Sequence, residues 1–231
     1  MRDRGLVVAL DGPGSSGKSS VGAAVAASLG ARFLDTGLLY RALTWLSLER
    51  GVAPEDGPAI ALLAAEIDLA ADDTGRLARV VVDGHDVADR IRTPRVDRAV
   101  SAVARHSEVR AALLGRQRAI VESGAIVVAG RDIGSVVLPD ADVKIWLDAS
   151  AEERAARRAQ ERGIDPASAT GLAILEDLRR RDLADGSRDA SPARAADDAV
   201  HVRTDGNSFE ATVAAVLAVV RAALQANEAP P

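Results

Sequence analysis

Short apolar runs alternate along this chain with stretches whose apolar residues recur every three or four positions, which predicts strands and helices in turn. Leu6-Val7-Val8-Ala9-Leu10 has no polar member and reads as a strand covered on both faces. Val21, Ala24, Val25, Ser28 and Leu29 follow at helical spacing, and Gly30 stands where that helix would end. Arg32-Phe33-Leu34 is a second short strand. A helix then carries Leu39, Leu43, Trp45 and Leu46 as far as Arg50, and a shorter one covers about 58–65.

The texture changes at Ile67. Ile67 and Leu69 alternate with polar residues, Asp72-Asp73-Thr74-Gly75 supplies a turn, and Val80-Val81-Val82 follows, so a small hairpin is expected. Thr93-Pro94 starts a helix with Val96, Val100 and Val103 inward, and another covers about 109–122. Ala125-Ile126-Val127-Val128-Ala129 and Val143-Lys144-Ile145-Trp146-Leu147 are buried-strand runs. Ser150 and Glu153 form a capping-box pair before an arginine-rich helix reaching about Arg162. A helix at 172–184, a polar loop at 186–196, a strand at 199–202 and a closing helix at 209–224 complete the pattern. Strands alternating with helices imply an α/β domain, a parallel sheet with helices on both faces, whose ligands sit at the carboxyl ends of the strands. The hairpin and the helix after it, 57–105, read as an insert on a core formed by 1–56 and 106–231. A lid is expected at about 154–190.

Between the first strand and the first helix lies Gly12-Pro13-Gly14-Ser15-Ser16-Gly17-Lys18-Ser19, followed by Ser20. This matches the P-loop pattern in the strand–loop–helix context that the pattern requires. Glycines let successive backbone amides approach phosphate oxygens, and a helix N-terminus faces the same point. Lys18 is expected to reach the β- and γ-phosphates of ATP, and the Ser19 hydroxyl to meet Mg²⁺.

Composition sharpens this picture. Lysine occurs only at 18 and 144, so a lysine inside the glycine loop is no accident of a lysine-rich chain. Aromatic residues make up 2% of the sequence, so the core must be aliphatic. The net charge of −5 argues against bulk nucleic-acid binding. There is no cysteine, so neither disulfides nor thiolate metal sites are available. No targeting segment or membrane span is read: the apolar run 213–220 is short and ends at Arg221. A cytoplasmic monomer without nucleic-acid or membrane partners is the expectation.

The remaining chemistry is carried by arginine. Two phosphate esters meeting in line need cations on both, and a phosphate acceptor, largely dianionic at neutral pH, needs no general base. Arg41 could clamp a phosphate, and Arg131-Asp132 stands at the end of a strand. Arg154, Arg157, Arg158 and Arg162 share one helical face. Arg179, Arg180, Arg181 and Arg188 flank the polar loop, so the two clusters suggest a phosphate-closing lid. Two other readings stand beside this one. A kinase acting on a hydroxyl would need a base, with Asp35 or Asp132 as candidates. A GTP-binding switch would need Asn-Lys-x-Asp, and neither lysine follows an Asn.

Several segments together resemble the cytidylate kinase family. They are Leu10-Asp11-Gly12-Pro13 running into the glycine loop, Phe33-Leu34-Asp35-Thr36-Gly37 with Tyr40-Arg41-Ala42-Leu43, Ile91-Arg92-Thr93-Pro94, Gly130-Arg131-Asp132-Ile133-Gly134, and Arg181-Asp182 spaced to Asp185 and Arg188. The resemblance runs from about residue 6 to about 220. It implies Mg²⁺-dependent transfer of the γ-phosphoryl group from ATP to CMP and dCMP. It implies ATP contacts at 12–20 and Arg157, and catalytic cations in Lys18, Arg131 and Arg188. Ser101, Arg110 and Asp132 would read the cytosine edge, and Arg181 and Asp185 the ribose. Arg41, Arg131 and Arg188 would hold the acceptor phosphate, with Thr36 and Tyr40 beside them. Cytosine donates from its amino group and accepts at N3 and O2, which a carboxylate and an arginine satisfy together; uracil inverts the pattern at position 4. Arg95, Ser107 and His85 depart from the family's pattern, all at or beside the insert.

Overall fold

The computed structural model describes residues 5–122, 124–188 and 191–228. Positions 189 and 190 of the expected polar loop lie outside them. The order is β1 (Val7–Asp11), α1 (Lys18–Ser28), β2 (Arg32–Asp35), α2 (Gly37–Glu49), α3 (Gly57–Leu62), β3 (Ile67–Ala71), β4 (Arg76–Val82) and β5 (His85–Asp86). It continues with α4 (Pro94–Val103), α5 (Ser107–Val121), β6 (Ile126–Gly130), β7 (Val143–Asp148), α6 (Ala151–Glu161), α7 (Ala169–Gly186), β8 (Val200–Arg203) and α8 (Phe209–Glu228).

One sheet runs β3-β4-β2-β6-β1-β7-β8, parallel from β4 to β8, with β3 antiparallel at the edge and β5 antiparallel against β4. β1 is buried along its whole length between β6 and β7. Side chains alternate across a strand. Val8 and Leu10 therefore join one core with Val21 and Val25 of α1, while Val7 and Ala9 join another with Val121 of α5 and Val137. Burial on both faces is why this strand shows no polar alternation.

The hairpin expected within an insert is present as β3 and β4, yet it does not stand apart from the sheet. β4 pairs in parallel with β2 through Phe33↔Arg76 and Leu34↔Leu77. The short helix read at about 58–65 is six α-helical residues followed by a tighter turn at Leu63–Glu66. A wide turn at Ile133–Val137 was not read from the sequence at all. α8 extends past the 213–220 run, and its window Phe209–Ala226 is long and apolar enough, by length and composition alone, to cross a membrane, with mean hydropathy 1.5. Thr212, Val216 and Val220, four apart, are buried on its inner side, and α8 packs against α1.

Candidate active site

The carboxyl ends of β1, β2 and β6 face one cleft of about 890 Å³. At its floor the chain leaves β1 at Asp11 and turns through the glycine loop into α1. Gly12 backs onto β7: a Cβ there would lie 2.2 Å from the Leu147 carbonyl oxygen, so a side chain is excluded by packing. Gly17, at φ +88°, is in the left-handed region that favours glycine. Lys18 is 7% exposed, and its Nζ donates to the Pro13 carbonyl at 2.9 Å. Burial, and next the Arg131 guanidinium, hold its pKa well below the usual lysine value. An ammonium in that state gains most from an arriving polyanion. Ser19 Oγ donates to Asp35 Oδ2 at 2.6 Å, and Asp35 Oδ1 accepts from Gly37 N at 3.0 Å.

Across the cleft, Arg110 of α5 donates from Nη2 to Asp132 Oδ2 and from Nη1 to the Ala104 carbonyl at 3.1 Å. Its guanidinium lies 5.5 Å from the centre of the Tyr40 ring. Both side chains of the Arg110–Asp132 pair are buried, at 9% and 7% exposure. A buried ion pair gives little net stability, but losing one member leaves the other uncompensated. The segment carrying Asp132 is held from below by Asp11, which accepts from Ile133 N at 2.8 Å and Gly134 N at 2.7 Å.

Arginines from the other elements close the ring. Arg131 donates from Nε to Asp185 Oδ2 at 3.1 Å, and Arg188 lies 3.6 Å from the same carboxylate with its Nη2 buried and unbonded. Burial, and then the charge of Arg131, lower the pKa of Arg181. Arg41 donates to Asp97 Oδ1 at 2.7 Å, and Asp97 also reaches Arg158 at 3.4 Å and Arg162 at 3.5 Å.

The residues singled out from the sequence largely converge. Ser15, Ser16, Lys18, Ser19 and Ser20 line the cleft, as do Gly14 and Gly17, and so do Thr36, Tyr40, Arg41, Ser101, Arg110, Arg131, Asp132, Arg157, Arg181, Asp185 and Arg188. Gly12 and Pro13 do not line it; the first is packed against β7 and the second gives its carbonyl to Lys18. Thr36 is buried and donates to the Ala129 carbonyl at 2.9 Å, fixing β2 to β6. The four arginines expected on one helical face take three directions, with Arg158 and Arg162 sharing Asp97. Arg154 is buried against Gly14 and Asp182, Arg157 donates to Thr204 Oγ1 at 2.9 Å, and Arg158 faces Ser15 and Asp97.

Sequence reasoning gave no role to Asp11, Asp97 or Asp182, and considered Asp35 only as a base. Asp35 was the most findable, since it ends a strand read next after the glycine loop. A P-loop at the tip of the central strand, at the point where neighbouring strands lead off to either side, together with guanidinium groups converging from α2, α5, α7 and the β6 end, defines a P-loop kinase.

The particular family is equally plain. The cytidylate kinase family profile matches residues 8–222, and the chain belongs to that family. It is 46% identical to a cytidylate kinase of Roseiflexus castenholzii over 92% of each chain. It is also 46% identical to a cytidylate kinase of Rhodococcus opacus, over 95% of this chain and 96% of that one. A bifunctional pantoate ligase/cytidylate kinase of Synechocystis is 45% identical over 91% of this chain, which spans only 42% of that longer protein.

Proposed function

We propose that this protein transfers the γ-phosphoryl group of ATP to CMP and dCMP, releasing ADP with CDP or dCDP. The observation that carries the reading is the buried Arg110–Asp132 pair, which presents an acceptor and a donor side by side on the cleft wall opposite the glycine loop. Cytosine supplies the complementary donor and acceptors. Uracil would set its carbonyl oxygen against the Asp132 carboxylate, and a site with polar groups left unpaired discriminates strongly. Ser101 stands on the same wall, and Arg181 and Asp185 are assigned to the ribose.

The backbone amides of 12–20 would receive the ATP phosphates, with Arg157 on the nucleoside side of the loop. Lys18 and Arg131 would share the charge of the moving phosphoryl group, and Arg41 and Arg188 would steady the acceptor phosphate. That phosphate needs no base to give up a proton, which suits a cleft whose histidines, His85, His106 and His201, all lie outside it.

Mg²⁺ fits the donor set. The Ser19 hydroxyl and the Asp35 carboxylate are hard oxygen donors in hydrogen-bond contact. Among the described residues there is no cluster of three or more acidic, histidine or cysteine ligands, so phosphates and water would supply the rest of the shell. When bound, the ion neutralises phosphate charge; Ser19 and Asp35 would hold it. We also assign the α6–α7 segment, about 154–190, as a lid, and 57–105 as the acceptor-binding insert.

ADP release measured across CMP, dCMP, UMP, AMP and GMP tests the assignment, with Asp132→Ala run in parallel. CMP and dCMP should turn over fastest in the unaltered enzyme. The variant should lose on the order of 10² of its CMP-over-UMP preference, the scale expected when a buried hydrogen-bonding group is lost. Equal turnover of AMP removes the acceptor assignment, and an undiminished preference in the variant removes the base-reading role.

A further inference from the structure

Between α4 and α7 lies a second cleft, of about 1420 Å³, continuous with the acceptor side of the first: Arg92, Ser101, Arg158, Arg181 and Arg188 line both. Among the described residues its walls carry eight arginines and two aspartates, in a chain of net charge −5. Both aspartates are engaged, Asp97 with Arg41, Arg158 and Arg162, and Asp177 with Arg180. Arg98 on α4 and Arg105 just beyond it are exposed on the rim. Among the described residues, neither side chain makes a hydrogen bond or ion pair. Ile174 and Leu178 contribute an apolar patch to the wall.

We infer that this cleft is an encounter site for the phosphate dianion of the acceptor nucleotide, with Arg98 and Arg105 drawing it in ahead of Arg131 and Arg188. The inference rests on the phosphotransfer reading above. A nucleoside monophosphate is largely dianionic at neutral pH and meets a protein whose net charge repels it. A cleft lined by one sign of charge, with low-dielectric walls, focuses the field and reverses that repulsion locally. Among the described residues Arg98 and Arg105 have no ion-pair partner, and both lie outside the ring that grips the bound phosphate, so their charge is felt chiefly on approach. A purely solvating pair of surface arginines would add no more to association than any other exposed cation.

Rapid mixing of the full chain with a fluorescent cytidine monophosphate analogue separates the two cases. Arg98→Glu/Arg105→Glu should slow association by about tenfold at ~20 mM salt, within the range of electrostatic steering. Dissociation should stay within about twofold of the unaltered enzyme, and the association difference should vanish near 0.5 M salt, where the Debye length falls to about 4 Å. Arg221→Glu, an exposed reversal on α8, serves as the control for net charge, compared with Arg98→Glu alone. An unchanged association rate in the double variant overturns the inference. So does an equal loss from Arg221→Glu, or a loss that persists at high salt and appears in dissociation. CMP turnover by the unaltered enzyme, followed alongside, reads the parent assignment: turnover with unchanged association sinks the encounter site alone, and no turnover sinks both.

Discussion

Asp11 is the residue through which the two halves of the site touch. It ends β1, directly precedes the glycine loop, and grips the backbone that follows Asp132 through two successive amides. It is 3% exposed, and burial pushes its carboxyl up to about 6, against the opposing pull of those amides. Because the folded-state pKa is raised, the folded chain holds a proton between about pH 4 and 6 that the unfolded chain has released. The contribution of this group to stability therefore falls as pH rises through that window. The step from 3.8 to about 6 corresponds to about 3 kcal/mol. Urea unfolding of the unaltered chain and of Asp11→Asn, from pH 7.5 down to 4.5, should show the unaltered chain gaining on the variant as pH falls, by about 2 kcal/mol. Above pH 7 the difference should be flat. Parallel profiles across the whole range would refute the raised carboxyl. The identity of this residue was legible in the sequence, but its task was not, because its partners lie more than a hundred positions away. Asp97 was missed for the same reason: Arg41 and Arg158 reach it only after three elements have packed.

At the scale of elements, what was legible followed from local pattern and what was not followed from pairing. β1 and β6 were readable because a strand covered on both faces must be apolar throughout. β7, read as the same kind of run, instead alternates buried with half-buried positions and carries Lys144 on its open face, paired with Asp198. The glycine loop was readable because its chemistry is contiguous. That β4 would join the sheet beside β2 could not be read, since register between strands is set by tertiary packing. The capping box before α6 is half present. Ser150 Oγ accepts from Glu153 N at 3.2 Å, but Ser150 N donates to Asp205 at 2.9 Å, and Glu153 turns to Arg157. Hydrogen bonds from Ser150 hold the Asp205 carboxyl well below the ordinary range. Arg154 then ties α6 to its neighbours, donating to Ala149 at 2.9 Å, Gly14 at 3.0 Å and Asp182 at 2.6 Å while 4% exposed. Asp182 is 30% exposed, so water tempers the pair, and its loss should cost about 2 kcal/mol rather than the larger figure for a fully buried one. A double-mutant cycle of Arg154→Met and Asp182→Asn, followed by thermal unfolding, should give a coupling energy of at least about 1 kcal/mol. Arg154→Met should also raise KM for ATP more than KM for CMP, since it releases the Gly14 carbonyl. Additive destabilisation, with both KM values moved alike, would rule out the tie to the glycine loop.

Across the whole molecule, the apolar core is unevenly distributed, and the charge network follows its weak seam. Two large clusters sandwich the sheet, and a third joins α2, α3, the hairpin, α4 and α5. The proposed lid has only a small cluster, Ala155, Ala159, Ile174 and Leu178. Full burial of its two large side chains stabilises it by about 2 kcal/mol each, modest beside the other clusters. Asp97 spans the seam: on α4, it holds Arg41 of α2 together with Arg158 of α6 and Arg162 just beyond that helix. Burial, and then the Arg162 and Arg41 charges, depress the pKa of Arg158, and Asp97 works against them. Without nucleotide, this carboxylate is the anion that keeps three guanidinium groups near one another. In the proposed reaction the nucleotide phosphate would take that place. Asp97→Ala should therefore loosen the lid selectively when no nucleotide is bound. In hydrogen exchange, α6 amides should exchange about tenfold faster than in the unaltered chain, while β1 and β6 keep their protection. Adding CMP with a non-hydrolysable ATP analogue should close most of that gap, and kcat at saturation should change by less than about threefold, because the anion that replaces Asp97 is the substrate itself. Faster exchange in β1 and β6 as well would mean general destabilisation, and a gap that saturating nucleotides leave open would mean that phosphate does not take over what Asp97 holds.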